Sequence, residues 1–319
     1  VVILTFTIKR FIRISAYLLV VVFIFMNAVA EFHAYKFTHF AETAEPITRQ
    51  LEELSTKEKI NTLLFGVSLP RPCNTTVPKI PHETIRISND TLDCWELPVS
   101  KSKGTVLVFH GYGNRKSGML DKAYAMHEMG YRVVLVDLSG CGGSKGNATT
   151  IGYYEAKDVK AAYDFYKEKY IKEPIILLGT SMGAAAVMKS MKDYSMDVSA
   201  ILLECPFGSM YKTVCNRFDD MHVPQFPMSG LLVFYGGLLN GFWAFDHNPI
   251  DYVSHIQAPV LLMNGGKDAR VSLEEIDDIY SNLKGPKKKV IFPYAGHESY
   301  FNDYAKAWKK EVSGFLKEK

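Results

Sequence analysis

The chain has 319 residues, enough for one large domain with an extension or for two small domains. Its 47 % hydrophobic and 22 % charged content excludes disorder over most of that length. The formal charge is +3, part of it Lys9, Arg10 and Arg13, so the remainder is near balance and carries no electrostatic footprint for nucleic acid.

The first feature along the chain is Ile14 to Ala30, an uncharged apolar stretch preceded by that basic cluster. At a rise of ~1.5 Å per residue it crosses most of a bilayer core roughly 30 Å thick. The basic flank stays cytoplasmic and the rest of the chain is sent across the membrane. Ala28-Val29-Ala30 resembles a signal-peptidase site, whose use would release a secreted or periplasmic protein. The stretch is longer than a usual signal core, and Asn27 interrupts it just before that site, so a retained single-pass anchor is the preferred reading. The expected organisation is an anchor or signal peptide over 1–32, a helical stalk and linker over 33–82, and a main domain over 83–319.

Residues 33 to 68 have an intermittent apolar face through Ile47, Leu51, Leu54, Ile60, Leu63 and Leu64, which predicts helix. Pro70, Pro72, Pro78 and Pro81 break it. Two strands follow around the turn pair Asn89-Asp90. After Gly104, strands alternate with helices: strands at Thr105–Phe109, Arg132–Asp137, Ile175–Leu178, Ala200–Cys205, Pro259–Asn264 and Lys289–Pro293, helices at 116–129, 154–170, 181–193, 273–283 and 300–317. That alternation predicts an α/β fold, a mainly parallel sheet with helices on both faces. Pro206 to Ile256 breaks the rhythm with about fifty residues rich in Phe, Met, Tyr and Gly, and is expected to be a helical lid insertion or a dimer contact.

Gly179-Thr180-Ser181-Met182-Gly183 is a G-x-S-x-G sequence between a strand and a helix, the setting in which such a serine is a nucleophile on a sharp turn. A serine hydroxyl needs a base. His297 and Asp268 each follow a later strand, so both lie on the same sheet edge as Ser181, in the order nucleophile, acid, base. Glu204 is the rival acid, and Glu298 is read as fixing the histidine's loop. His110-Gly111-Tyr112-Gly113 follows the first parallel strand, so the backbone N–H groups of Tyr112 and Met182 are the candidate oxyanion hole, with the Tyr112 side chain toward an acyl pocket. Asp137 to Ser144 is glycine-rich without a GxGxxG pattern and reads as a structural loop. His33 and His39 read as surface residues. The five cysteines, Cys73, Cys94, Cys141, Cys205 and Cys215, have no zinc-type spacing, so no metal is expected; they read as unpaired, with Cys73–Cys94 as the bridge an oxidising compartment would allow.

On HGYGNRKS (His110 to Ser117), GTSMG (Gly179 to Gly183), GGKDARVS (Gly265 to Ser272) and AGHE (Ala295 to Glu298), the chain from about Glu83 onward resembles the α/β-hydrolase superfamily. It looks closest to the bacterial branch grouped with serine aminopeptidases and prolyl-oligopeptidase-like hydrolases, which includes membrane-anchored proteins. The superfamily often has D-x-R-G-x-G-x-S after the fourth strand; here Ser139 stands where arginine is common, and an extra glycine changes the spacing. The expected activity is a serine esterase or thioesterase acting on an apolar acyl substrate without a cofactor, the aromatic and methionine side chains of 206–256 covering the pocket. The rivals are a peptidase, with Glu204 receiving a substrate amine, and a non-catalytic binding protein on the same fold.

Overall fold

The computed structural model describes residues 2–42 and 55–318. Helix α1 (Val2–Thr38) runs unbroken through the apolar stretch and through residue 32, where the sequence suggested a boundary. Its large apolar side chains from Phe11 to Phe25 stand exposed, whereas Ala30, Ala34 and Thr38 are buried against the rest of the molecule. Helix α2 (Thr56–Phe65) starts with a capping box, in which Ser55 and Glu58 satisfy each other's backbone N–H. Three of the six apolar positions that predicted a 33–68 helix, Ile47, Leu51 and Leu54, lie outside the described residues.

Strands β1 (Glu83–Ile87) and β2 (Leu92–Leu97) form an antiparallel hairpin. Ser88, Asn89 and Asp90 make its turn in the left-handed region, which short polar side chains tolerate best. The remaining strands are β3 (Thr105–Phe109), β4 (Arg132–Val136), β5 (Ile175–Thr180), β6 (Ala200–Glu204), β7 (Val260–Gly265) and β8 (Lys287–Phe292). They form one sheet in the order β1-β2-β4-β3-β5-β6-β7-β8, parallel from β4 to β8.

Both faces of the sheet are covered, so its strands read as continuous apolar runs. On β3, Leu107 and Phe109 join the core beneath α4 (Glu155–Lys169), α5 (Met182–Asp193) and α9 (Leu273–Asn282). Val106 and Val108 point the other way, to α3 (Leu120–Glu128) and α10 (Tyr300–Lys317), where Trp308, Val312 and Phe315 are buried. The chain leaves β3 toward β4 and then crosses to β5 on the opposite side. That reversal opens a crevice at the C-terminal ends of β3 and β5.

The stretch between β6 and β7 folds as α6 (Met210–Asp220), α7 (Met228–Asn240) and α8 (Pro249–Tyr252). Helix α7 carries no charged residue and packs along α1, with the Tyr235 hydroxyl donating to Asn27 Oδ1 at 3.0 Å. All five cysteines are free; Cys73 is exposed and the others are buried.

The loop after β4 is held from three directions. Asp137 accepts from the backbone N–H of Lys116 (2.7 Å) and Gly143 (2.8 Å) and pairs with the Lys116 ammonium. Arg71, from the linker, donates to the carbonyls of Gly142, Ser144 and Gly146. An arginine therefore does serve this loop, although Ser139 occupies the position where the superfamily that the chain resembles commonly has one. Ser139 instead donates through its N–H (2.8 Å) and hydroxyl (3.0 Å) to Asp158 on α4. Burial pushes the Asp158 carboxyl up to about 7, against the pull of those two donors.

A carboxyl raised on folding contributes stability at low pH that is lost as pH rises through its folded value. Asp158→Asn keeps an acceptor for the Ser139 N–H and removes the titration. Its stability relative to wild type is expected to rise between about pH 5 and pH 8. Chemical denaturation at both values checks this, and a pH-independent difference would contradict it.

Candidate active site

The strand β5 ends at Thr180 and α5 begins at Met182, leaving Ser181 alone on the turn with φ 52° and ψ −111°. That left-handed conformation is strained for a serine. It persists because the turn is boxed in. Ser181 N–H donates to the Glu204 carbonyl on β6 at 2.8 Å, and a Cβ on Gly183 would lie 2.4 Å from the Phe109 carbonyl oxygen. A Cβ on Gly179 would meet the Gly183 carbonyl at 2.6 Å. Both glycines are thus demanded by backbone passing backbone.

Ser181 Oγ lies 2.9 Å from His297 Nε2, and His297 Nδ1 lies 2.8 Å from Asp268 Oδ2. With Nδ1–H donated to the carboxylate, Nε2 is left to accept the serine proton. The Asp268 side chain is buried, and its other oxygen accepts from the N–H groups of Arg270 (2.9 Å) and Val271 (3.0 Å). The loops carrying the two residues are stitched together: Lys267 N–H donates to the Ala295 carbonyl and Gly266 N–H to that of Phe292. Glu298 accepts from Gly296 N–H at 3.1 Å, within its own loop.

Met182 is the first residue of α5, so its N–H is among the helix-start donors that have no intrahelical partner. Tyr112 sits on the loop after β3, where Gly111 brings the backbone close: a Cβ there would lie 3.5 Å from Ser181 Cβ. Buried His110 anchors this loop, Nδ1–H donating to the Gly111 carbonyl and Nε2 accepting from Leu138 N–H. Burial lowers its pKa, which keeps it neutral for that double role.

Two expectations need correcting. The Tyr112 side chain does not project into an acyl pocket. Its hydroxyl donates to the Phe37 carbonyl at 2.7 Å and its ring stacks on Phe37 at 4.5 Å, so α1 holds it. Glu204 faces the opposite side of the sheet and has no free oxygen for a histidine or a substrate amine. It pairs with the buried Lys122 ammonium and accepts from Thr180 Oγ1 (2.9 Å) and Trp308 Nε1 (2.6 Å).

An apolar cleft of about 210 Å³ lies between the inner part of α1 and the insertion. Met210, Phe218, Met221 and Phe242 line it from the insertion, and Ala34 and Phe37 from α1. Phe207 belongs to the core, while Phe226 and Trp243 face outward. Ser181 is not in its wall. The cleft adjoins the nucleophile turn through the Phe37–Tyr112 stack and through Thr150, whose neighbour Thr149 touches Met182 Sδ. The contribution of α1 escaped the sequence reading, because nothing in an apolar stretch indicates which of its residues pack against the rest of the chain.

A model of the family described as serine aminopeptidase, S33, matches residues 100–230. The uncharacterized protein YqkD of Bacillus subtilis is 23 % identical over 66 % of this chain and 70 % of its own length. The acylamino-acid-releasing enzyme of Rattus norvegicus is 25 % identical over 53 % of this chain, which spans only 25 % of that larger protein. Among solved structures, an esterase of Pyrococcus furiosus superposes with a TM-score of 0.67 at 23 % identity, covering 78 % of this chain and 96 % of its own.

Removing one partner of a buried ion pair strands the other charge, at a cost of about 3–5 kcal/mol. Glu204→Ala is expected to lower stability by about that much through Lys122. An unchanged denaturation midpoint would show that Lys122 finds water or another partner.

Proposed function

We propose that this chain, an α/β-hydrolase-fold hydrolase, cleaves carboxylic esters or thioesters through an acyl-enzyme on Ser181. The observation that carries the reading is the continuous hydrogen-bonded line Ser181–His297–Asp268, formed by residues from three separate strand ends.

In the first half-reaction Ser181 Oγ attacks the carbonyl carbon while His297 Nε2 takes its proton. Asp268 holds the imidazole in the tautomer that can accept and stabilises the imidazolium. The oxyanion is stabilised by the N–H groups of Met182 and Tyr112, at the positive end of α5. Collapse breaks the bond to the leaving group, which receives the histidine's proton. Water then attacks the acyl-enzyme, giving its proton to His297, and Ser181 is regenerated as the acid departs.

The anchor belongs to this reading. Ala30 is fully buried within α1, and the helix beyond it supplies Phe37 to the oxyanion loop and a wall to the cleft. Cleavage after Ala30 would sever that half of the helix from the membrane stretch. We infer that α1 stays as a single-pass anchor, with the enzyme on the extracytoplasmic side that the basic flank favours. The insertion, lining the cleft with apolar side chains, acts as the lid and favours an apolar acyl group. A peptidase is the second reading, favoured by the family match and by the acylamino-acid-releasing relatives. Against it, Glu204 is already spent on Lys122 and Trp308 and is unavailable to a substrate amine.

A fluorophosphonate probe is expected to label the wild-type serine once per chain and to leave Ser181→Ala unlabelled, read by intact mass. Labelling of both proteins, or of neither when folded, overturns the assignment. Asp268→Asn keeps the acceptor for Arg270 and Val271 but turns the imidazole toward the wrong tautomer. Its kcat is expected to fall by about 10³–10⁴ with little change in KM. Among matched esters, kcat/KM is expected to climb with acyl length and to exceed that for aminoacyl and prolyl amides; a flat profile would remove the acyl-pocket reading.

A further inference from the structure

The cleft is mostly apolar; among the described residues His33, Thr38 and Thr150 add polar groups to its wall and Arg217 adds a guanidinium. Arg217, on α6, lines it half-buried, its guanidinium 5.1 Å from the centre of the Phe37 ring. Among the described residues it makes no ion pair or hydrogen bond. Arg270 is brought to the same place: its carbonyl accepts from Asn216 Nδ2 at 2.9 Å, one residue before Arg217. Burial and then the Arg270 charge both oppose the charged form of Arg217, so its pKa is lowered, with Tyr112 and Asp220 acting the other way. Arg270 likewise forms no ion pair among the described residues. A cation at an apolar wall beside a second cation costs free energy, and an incoming anion removes that cost.

Both arginines are linked to the residues around Ser181. Arg270 donates its N–H to Asp268, and Arg217 packs on Phe37, which stacks on Tyr112 of the oxyanion loop. The apolar cleft and the arginine in its wall are thus joined to the Ser181 turn through Phe37 and Tyr112. That cleft is walled by α1 and α7, the helix that leads into the exposed membrane stretch and the uncharged helix packed along it. Leu238 and Trp243 extend the apolar surface at this end of the molecule.

We propose that Arg217, with Arg270 beside it, binds the phosphate head group of an amphiphilic ester whose acyl chain occupies the cleft between α1, α6 and α7. The substrate class is thus an anionic membrane lipid. This rests on the serine-hydrolase reading for its chemistry but makes a separate claim about recognition. Arg217 is a specificity-determining residue, and a planar guanidinium suits the paired oxygens of a phosphate better than an ammonium would.

The test uses the full chain in detergent micelles with two probes of equal acyl length, lysophosphatidylglycerol and monoacylglycerol. The ratio of kcat/KM for the anionic over the neutral probe is expected to exceed one in the wild type. It should fall about tenfold or more in Arg217→Gln, with Arg217→Lys intermediate. Because the ratio is internal to each protein, a loss of folded enzyme does not move it. Should Arg217→Gln not fold, the exposed Arg270→Gln is expected to shift the ratio the same way. An unchanged ratio in the folded variants overturns the proposal while leaving the hydrolase reading intact. Conversely, if neither probe is hydrolysed, binding of both to the wild type is measured. A preference for the anionic lipid that Arg217→Gln abolishes sustains recognition and sinks the hydrolase reading; no preference sinks the recognition proposal too. Glycerol phosphate, which lacks the acyl chain, is expected to compete weakly, and affinity equal to the lipid's would mean a free-phosphate site instead.

Discussion

The close passage of backbone over backbone at Gly179 and Gly183 is the constraint on which the rest depends. With no side chain at either position, α5 starts directly behind the carbonyls of Phe109 and His110, and Ser181 is pushed into a left-handed turn. The same approach brings the loop after β3 beside Ser181, where a Cβ on Gly111 would lie 3.5 Å from Ser181 Cβ. The strain of the serine is borne by the parallel pairing of β5 with β3 and β6, and by its own N–H bond to the Glu204 carbonyl.

Around this turn the structure spends several buried charges on holding elements together. Glu204 joins β6 to α3 through Lys122, to β5 through Thr180 and to α10 through Trp308. Lys116 sits between Asp93 and Asp137 and over the Trp95 ring at 4.5 Å, tying β2 to the loops after β3 and β4. Burial lowers the pKa of Lys116, and the paired carboxylate Asp137 opposes that shift. Such networks add little net stability over an apolar core, because desolvation offsets the attraction. What they supply is a defined arrangement: each charge has one set of partners, so each helix has one docking geometry. Both networks lie within one residue of a loop that frames the serine.

The N-terminal helix changes character along its length. From Ile14 to Phe25 it carries no charged side chain and its large apolar side chains stand exposed, the composition of a span. From Asn27 onward it becomes part of the α/β domain: Asn27 meets Tyr235, Phe37 meets Tyr112, and the Thr38 carbonyl accepts from Thr149 N–H. Thr149 in turn contacts Met182, the residue after the nucleophile. Helix and candidate site are therefore coupled by packing, so the placement of α1 and the shape of the cleft are not independent.

What the sequence determined by itself was the scaffold and the residues that meet at one edge of the sheet. Runs such as TVLVF and RVVLVD could be read as strands because a sheet buried on both faces needs apolar residues at every position, and the helices between them carry a local period. Ser181, Asp268 and His297 were legible because each follows such a run, and a parallel sheet delivers all its strand ends to one edge. The tertiary structure alone decided the surroundings. Glu204 ends a strand on the same edge as Asp268, yet it serves Lys122 and Trp308, residues 82 and 104 positions away. The arginine of the loop after β4 comes from Arg71, and Tyr112 is claimed by Phe37, 75 positions earlier. Contacts at such separations leave no period in the chain; they arise only when packing closes the loops between them.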